Sequence, residues 1–174
     1  QTPTPPYPYK PEEVIYTNAD KSIQFGAPFT VPLPDPNLNY FRAHIYPVVL
    51  LITGSGPQDR DETIFDHKPV AVIADHLTRE GIAVLRVDDR GVGKTTGTFS
   101  KSTTADFAND VKAGIDYLKT RGDVDTNTIG LIGHSEGGLI AHMVASKRND
   151  GHFIILLACP GFQLLAMLEH HRTA

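Results

Sequence analysis

The pentapeptide Gly133-His134-Ser135-Glu136-Gly137 sets a serine between two glycines, with apolar Ile129, Leu131 and Ile132 before it and a helical pattern from about Gly137 after it. That spacing suits a sharp strand-to-helix turn, in which the serine sits at strained backbone angles and its hydroxyl stands clear of the chain. The duller reading is a glycine-rich connection carrying an ordinary serine. The context of strand before and helix after favours Ser135 as a nucleophile, and the chemistry this suits is attack on a carbonyl carbon. Such attack needs a base for the hydroxyl proton and hydrogen-bond donors for the oxyanion that develops.

One donor is expected from the N–H of Glu136, the residue after the serine, at the positive end of the following helix. The second is assigned to the N–H of Ser55, in the glycine-rich loop Gly54-Ser55-Gly56 that leaves the apolar run Tyr46 to Thr53. Gly54, Gly56, Gly133 and Gly137 are the supporting loop positions; the alternative is that Gly54 and Gly56 only permit a tight turn. Glu136 is expected to contribute its N–H rather than its carboxylate, and His134 to pack rather than to catalyse.

Other chemistries fit less well. The segment Asp88-Asp89-Arg90-Gly91-Val92-Gly93-Lys94-Thr95 contains Gly-Lys-Thr, but a phosphate-binding loop needs glycine where Asp88 stands. Thr96 likewise occupies the third glycine position of a dinucleotide fingerprint. Asp88 and Arg90 are expected instead to tie this loop to its neighbours by charge-assisted hydrogen bonds. The eight histidines show no metal-ligand spacing, so no metal is expected.

The elements that must position these residues follow from apolar patterning. Glu13 to Asn18 and Ser22 to Pro32 read as two antiparallel strands, and Tyr46 to Thr53 as a strand buried on both faces. A loop covers Pro34 to Asn39. A helix is expected over Pro69 to Glu80, ended by Gly81, then a strand over Ile82 to Val87 and the loop Asp88 to Ser102. A longer helix runs from about Thr104 to Thr120. After the serine turn come a strand over Phe153 to Ala158 and the start of a helix over Gln163 to His170. Alternating strands and helices predict an α/β fold, a mostly parallel sheet with helices on both faces. Three loops, Gly54 to Asp66, Asp88 to Ser102 and the Ser135 turn, are expected to converge at the carboxyl ends of its strands.

The 174 residues, 40% hydrophobic and 21% charged, suit one globular domain with a sizeable core. A net charge of −4 supplies no basic surface for nucleic acid. No apolar run approaches the roughly 18 residues of a membrane span. The single cysteine, Cys159, closes an apolar run and reads as a buried small hydrophobe. Residues 1–12 form a proline-rich leader and residues 13–174 the domain. A leader of this kind points to the mature end of an exported protein, periplasmic or secreted, followed by an extended tether; the alternative is an arbitrary boundary.

Four segments together, LITGSGPQDRD (Leu51 to Asp61), HKPVAVIADHLTREGIAVLRVDDRG (His67 to Gly91), DDRGVGKTTG (Asp88 to Gly97) and GHSEGG (Gly133 to Gly138), resemble the α/β-hydrolase superfamily. More narrowly the chain is similar to bacterial, often exported, esterase-like hydrolases related to serine aminopeptidases, over nearly its whole length from about Tyr7. The resemblance implies a nucleophile at Ser135, oxyanion donors at Ser55 and Glu136, carboxylic ester substrates, and no metal or organic cofactor. It also implies an acid and a histidine after two further strands, for which this chain has no matching positions, so the domain is expected to be incomplete at its C-terminus. His170 and His171 are not promoted to that role. Three readings stay open: a carboxylic ester hydrolase working through an acyl-enzyme on Ser135, a peptidase of the serine aminopeptidase type, and a truncated non-catalytic domain. The uncharged strand Phe153 to Ala158 is expected to form an exposed edge, through which two copies of the chain could pair.

Overall fold

The computed structural model describes residues 1–34, 44–148 and 153–159. The expected helix over 163–170, His170 and His171, and most of the loop 34–39 lie outside the described residues.

The first two strands, β1 (Tyr9–Thr17) and β2 (Gln24–Pro32), form an antiparallel hairpin. β1 begins four residues before the expected Glu13. Tyr9 pairs with Pro32, is buried, and donates its hydroxyl to Asp75 at 2.7 Å, which draws this end of the leader into the sheet. Pro11 is tolerated because β1 is an edge strand, where a missing N–H costs no ladder bond on its open side. β2 in turn pairs with β4 (Ala83–Arg86) only at Phe29–Leu85 and Thr30–Val84. Pro28 and Pro32 flank that short contact.

The parallel part of the sheet is β4, β3 (Tyr46–Ile52), β5 (Val124–His134) and β6 (Phe153–Leu157), giving the order β1-β2-β4-β3-β5-β6. β5 is longer than the apolar residues alone suggest. Val124 pairs with Tyr46, and the register then shifts before Val48 meets Ile129. The polar stretch 125–128 is therefore carried into the strand by its partner rather than by its own propensity. β6 closes the described sheet as its edge, with Phe153, Ile155 and Leu156 about 40% exposed. Cys159, just beyond it, is half-buried against Gly138 rather than fully buried.

Helices α1 (Pro69–Arg79), α2 (Thr104–Leu118) and α3 (Glu136–Ala145) cover the two faces. Alternate residues of the central strands separate cleanly between them. Val48, Leu50, Ile52, Leu85 and Leu131 join Val111, Ile115, Ile140 and Val144 of α2 and α3, whereas Val49, Leu51, Val84 and Ile132 meet Val70 and Ala74 of α1. A strand read by both layers must be apolar at every position, which accounts for the unbroken run in β3. α2 starts at a reciprocal cap in which Thr103 accepts from the Asp106 N–H and the Asp106 carboxylate accepts from the Thr103 N–H. α1 ends before Gly81, whose φ of +88° stops the helix.

α2 reaches the sheet through Gly114, where a Cβ would lie 2.5 Å from Leu50 Cδ1 and 3.1 Å from the Tyr16 hydroxyl. Gly114→Val is therefore expected to cost about 1–3 kcal/mol of stability through overpacking, outweighing the roughly 0.5 kcal/mol that valine gains over glycine in helix propensity. Urea denaturation of the two proteins measures the difference; equal midpoints would show that α2 has room to shift.

Candidate active site

The carboxyl ends of β3, β4 and β5 lie side by side, with Ile52 beside Gly133 and Leu51 beside Arg86. β5 ends at His134 and α3 begins at Glu136, so a single residue, Ser135, makes the turn between them. Its φ of 51° and ψ of −117° are unfavourable for any residue with a side chain. The turn is held by the Ser135 N–H, which donates to Leu157 O at 2.9 Å, and by Gly138 N–H, which donates to Ser135 O at 3.0 Å. The flanking glycines are sterically required. A Cβ on Gly133 would meet Gly137 O at 2.2 Å, and one on Gly137 would meet Ile52 O at 2.4 Å and Thr53 O at 2.5 Å. The turn therefore presses directly on the end of β3.

The loop that leaves β3 there is fastened by carboxylates. Glu62 accepts from Gly54 N–H at 2.9 Å, Asp89 from Gln58 N–H at 2.9 Å, and Asp88 from Arg60 N–H at 3.0 Å. Asp59 accepts from the N–H groups of Asp61 and Thr63. Asp88 also receives the Arg60 guanidinium, and Arg90 makes a two-pronged bond to Asp110 at 2.7 Å on each arm. The segment 88–97 thus has the fastening role expected of it, and the three loops do converge. Among the described residues, the N–H groups of Ser55 and Glu136 donate to no other group. They are the two assigned from the sequence as oxyanion donors. The Glu136 carboxylate is occupied by the Thr104 hydroxyl at 2.8 Å.

Ser135 opens on a cavity of about 620 Å³. Its polar end carries Ser55, Gln58, Glu62, His134 and Ser135, and its walls are Leu51, Ile52, Ile64, Val70, Ile73, Ile132 and Leu157. An apolar chamber with a few convergent polar groups is the usual form of a small-molecule site. Among the described residues, no three His, Cys, Asp or Glu side chains are grouped to hold a metal ion, and no helix is long and apolar enough to cross a membrane.

Two features differ from the sequence reading. His134 does more than pack: its side chain is 43% exposed and its Nδ1 bonds Glu62 Oε1 at 2.8 Å. Glu62 and Asp89 also belong to the site, and nothing in their local sequence marks them. Each acts through partners 8 to 72 residues away.

Asp89 lines a small space of about 50 Å³ together with Asp110 and Glu136. Burial, resisted in part by hydrogen bonds from Gln58 and Thr53, pushes its pKa up to about 6 from an ordinary 3.8. Between those values the folded protein holds a proton that the unfolded chain releases, so raising the pH through this window lowers stability. Asparagine keeps an acceptor for Gln58 and offers a donor to the Thr53 hydroxyl. Relative to Asp89→Asn, the wild type is expected to lose about 1–3 kcal/mol between pH 4 and pH 7. Urea denaturation of both proteins across that range tests this, and parallel pH profiles would refute it.

The family described as serine aminopeptidase, S33, matches residues 68–172. Esterase EstD of Thermotoga maritima is 35% identical over 128 residues, covering 71% of this chain and 29% of that protein. The structure of Est1E from Butyrivibrio proteoclasticus with ferulic acid bound superposes with a TM-score of 0.68 at 26% identity, covering 92% of this chain and 57% of that one. The Pyrococcus furiosus esterase Pf2001 shares the fold, with a TM-score of 0.68 at 20% identity over 95% of this chain and 60% of its own. The chain thus spans about 29% of the Thermotoga relative and somewhat over half of these solved structures. With the family matched over more than half of its length and the sheet order described above, this chain belongs to the serine aminopeptidase, S33, family of α/β hydrolases.

Proposed function

We propose that this chain is the serine-bearing part of a carboxylic ester hydrolase that works through an acyl-enzyme on Ser135. One observation carries the reading: a strained serine lining a largely apolar cavity, with an unoccupied N–H on the residue after it and another on Ser55, which lines the same cavity. In the reaction, Ser135 Oγ bonds to the carbonyl carbon of the ester as its proton passes to a base. The carbonyl oxygen takes up negative charge between the Ser55 and Glu136 N–H groups. Collapse of that intermediate expels the alcohol, which takes a proton, and leaves the acyl group on Oγ for water to remove. Such donors stabilise the oxyanion more than the neutral carbonyl, and so raise the rate rather than merely binding substrate.

The cavity walls suit an apolar acyl or aryl group of modest size, in keeping with the ferulic acid held by Est1E. No base for Ser135 is assigned among the described residues. His134 is the histidine beside it in sequence, and its Nδ1 is taken by Glu62. The family description favours a second reading, peptide hydrolysis of the aminopeptidase kind, which uses the same serine and donors. Paired ester and anilide substrates of one acyl group distinguish the two by which is turned over faster.

The direct test is p-nitrophenyl acetate hydrolysis by the chain and by Ser135→Ala, alongside labelling by a fluorophosphonate. Loss of the serine is expected to lower the rate at least about tenfold, and up to about 10⁶ where a base completes the site. Equal rates and no Ser135-dependent label would mean that the chain is not a serine hydrolase by itself, as a non-catalytic domain requires.

A further inference from the structure

We infer that Glu62 is a positioning residue that sets the two oxyanion donors relative to each other; its catalytic meaning rests on the ester-hydrolase reading above. One oxygen, Oε1, accepts both the Gly54 N–H at 2.9 Å and His134 Nδ1 at 2.8 Å. Gly54 immediately precedes Ser55, and His134 immediately precedes the Ser135–Glu136 turn. A single carboxylate oxygen therefore links the backbone just before one donor to the side chain just before the other. A carboxylate only accepts, so this pairing places the imidazole proton on Nδ1.

The surroundings leave Glu62 little freedom. It is 8% exposed, and its φ of 51° lies in the left-handed region, which is unfavourable for a residue with a side chain. That conformation is held by the turn from Glu62 N–H to Asp59 O at 2.9 Å and by the Asp59 carboxylate, which accepts from Asp61, Thr63 N–H and the Thr63 hydroxyl. In that conformation the side chain reaches both Gly54 and His134. On the other side, a Cβ on Gly54 would come within 2.9 Å of Glu62 Oε1, 3.2 Å of His134 Nδ1 and 3.3 Å of Ser135 Cβ. Loop, carboxylate, imidazole and serine thus meet in contact.

Charge separates positioning from direct stabilisation. A negative group beside the oxyanion opposes the charge developing there, so Glu62 cannot assist the reaction by its own field. If its contribution is geometric, the neutral isostere should preserve it, because the amide oxygen of glutamine can accept from both partners.

The test compares wild type, Glu62→Ala and Glu62→Gln in two measurements on the 174-residue chain. The first is amide hydrogen exchange at Gly54 by NMR, which needs no activity. Alanine is expected to speed it by about tenfold or more, the loss of one hydrogen bond's protection, and glutamine by less than about threefold. The second is p-nitrophenyl acetate turnover, where alanine is expected to lower kcat by about 10–100-fold with KM changed less than about twofold, and glutamine to restore kcat. Unchanged exchange at Gly54 in Glu62→Ala overturns the clamp. Faster exchange with unchanged kcat, or a glutamine variant as slow as alanine, overturns the positioning role. Where wild type and Ser135→Ala turn over equally, the ester-hydrolase reading fails by itself, and Gly54 exchange still decides whether the clamp exists. If Glu62→Ala does not fold, His134→Ala replaces it by cutting one arm at a half-exposed side chain; an unchanged kcat there also overturns the role.

Discussion

The contact between the Ser135 turn and the end of β3 is the constraint on which the rest of the site depends. With the Ile52 and Thr53 carbonyls about 2.5 Å from where a Gly137 Cβ would sit, the strand–turn–helix unit has one position relative to its neighbour. β3 and β5 are locked in parallel register from Val48–Ile129 to Ile52–Gly133. The strained serine is thereby tied to the most completely buried part of the sheet, where alternate side chains serve two helical layers. A strained residue persists when its surroundings over-determine it. Here the surroundings are the core itself.

Around that fixed point the loops are organised by hydrogen-bond accounting. Backbone N–H groups in a loop leaving a buried sheet need partners. Four carboxylates, from Asp59, Glu62, Asp88 and Asp89, take the N–H groups of Gly54, Gln58, Arg60, Asp61 and Thr63. Among the described residues, the N–H groups of Ser55 and Glu136 donate to none of these carboxylates. A loop pinned at five of its N–H groups has little freedom to rotate that of Ser55 away. Preorganised donors of this kind are what carbonyl chemistry requires, because they need no rearrangement as charge develops.

Much of this arrangement was legible in the residues, and the parts that were not share a cause. The serine turn, the parallel strands, the helix layers and the fastening role of Asp88 and Arg90 all follow from short-range pattern: glycine spacing, apolar periodicity and a charge where phosphate binding would need glycine. The early start of β1 at Tyr9 depends on a hydroxyl reaching Asp75, and the long β5 depends on Tyr46 pairing with Val124. His134 reads as a packing residue until Glu62, 72 positions earlier, is placed beside it. Local pattern specifies elements and their faces, whereas polar contacts between distant loops arise only when the sheet has brought those loops together.

The use of carboxylates has an energetic cost that apolar packing would have avoided. Asp89 is buried deeply enough to raise its pKa to about 6, and Asp110, despite its bond to Arg90, is also shifted upward by burial. A hydrophobic replacement of similar shape is often neutral or stabilising where a buried charge is removed with its partner. It could not, however, orient a backbone N–H. Apolar contacts are non-directional, while a carboxylate oxygen fixes both the distance and the angle of the group that donates to it. The network therefore gives up stability in return for directional control of a loop at the cavity beside Ser135.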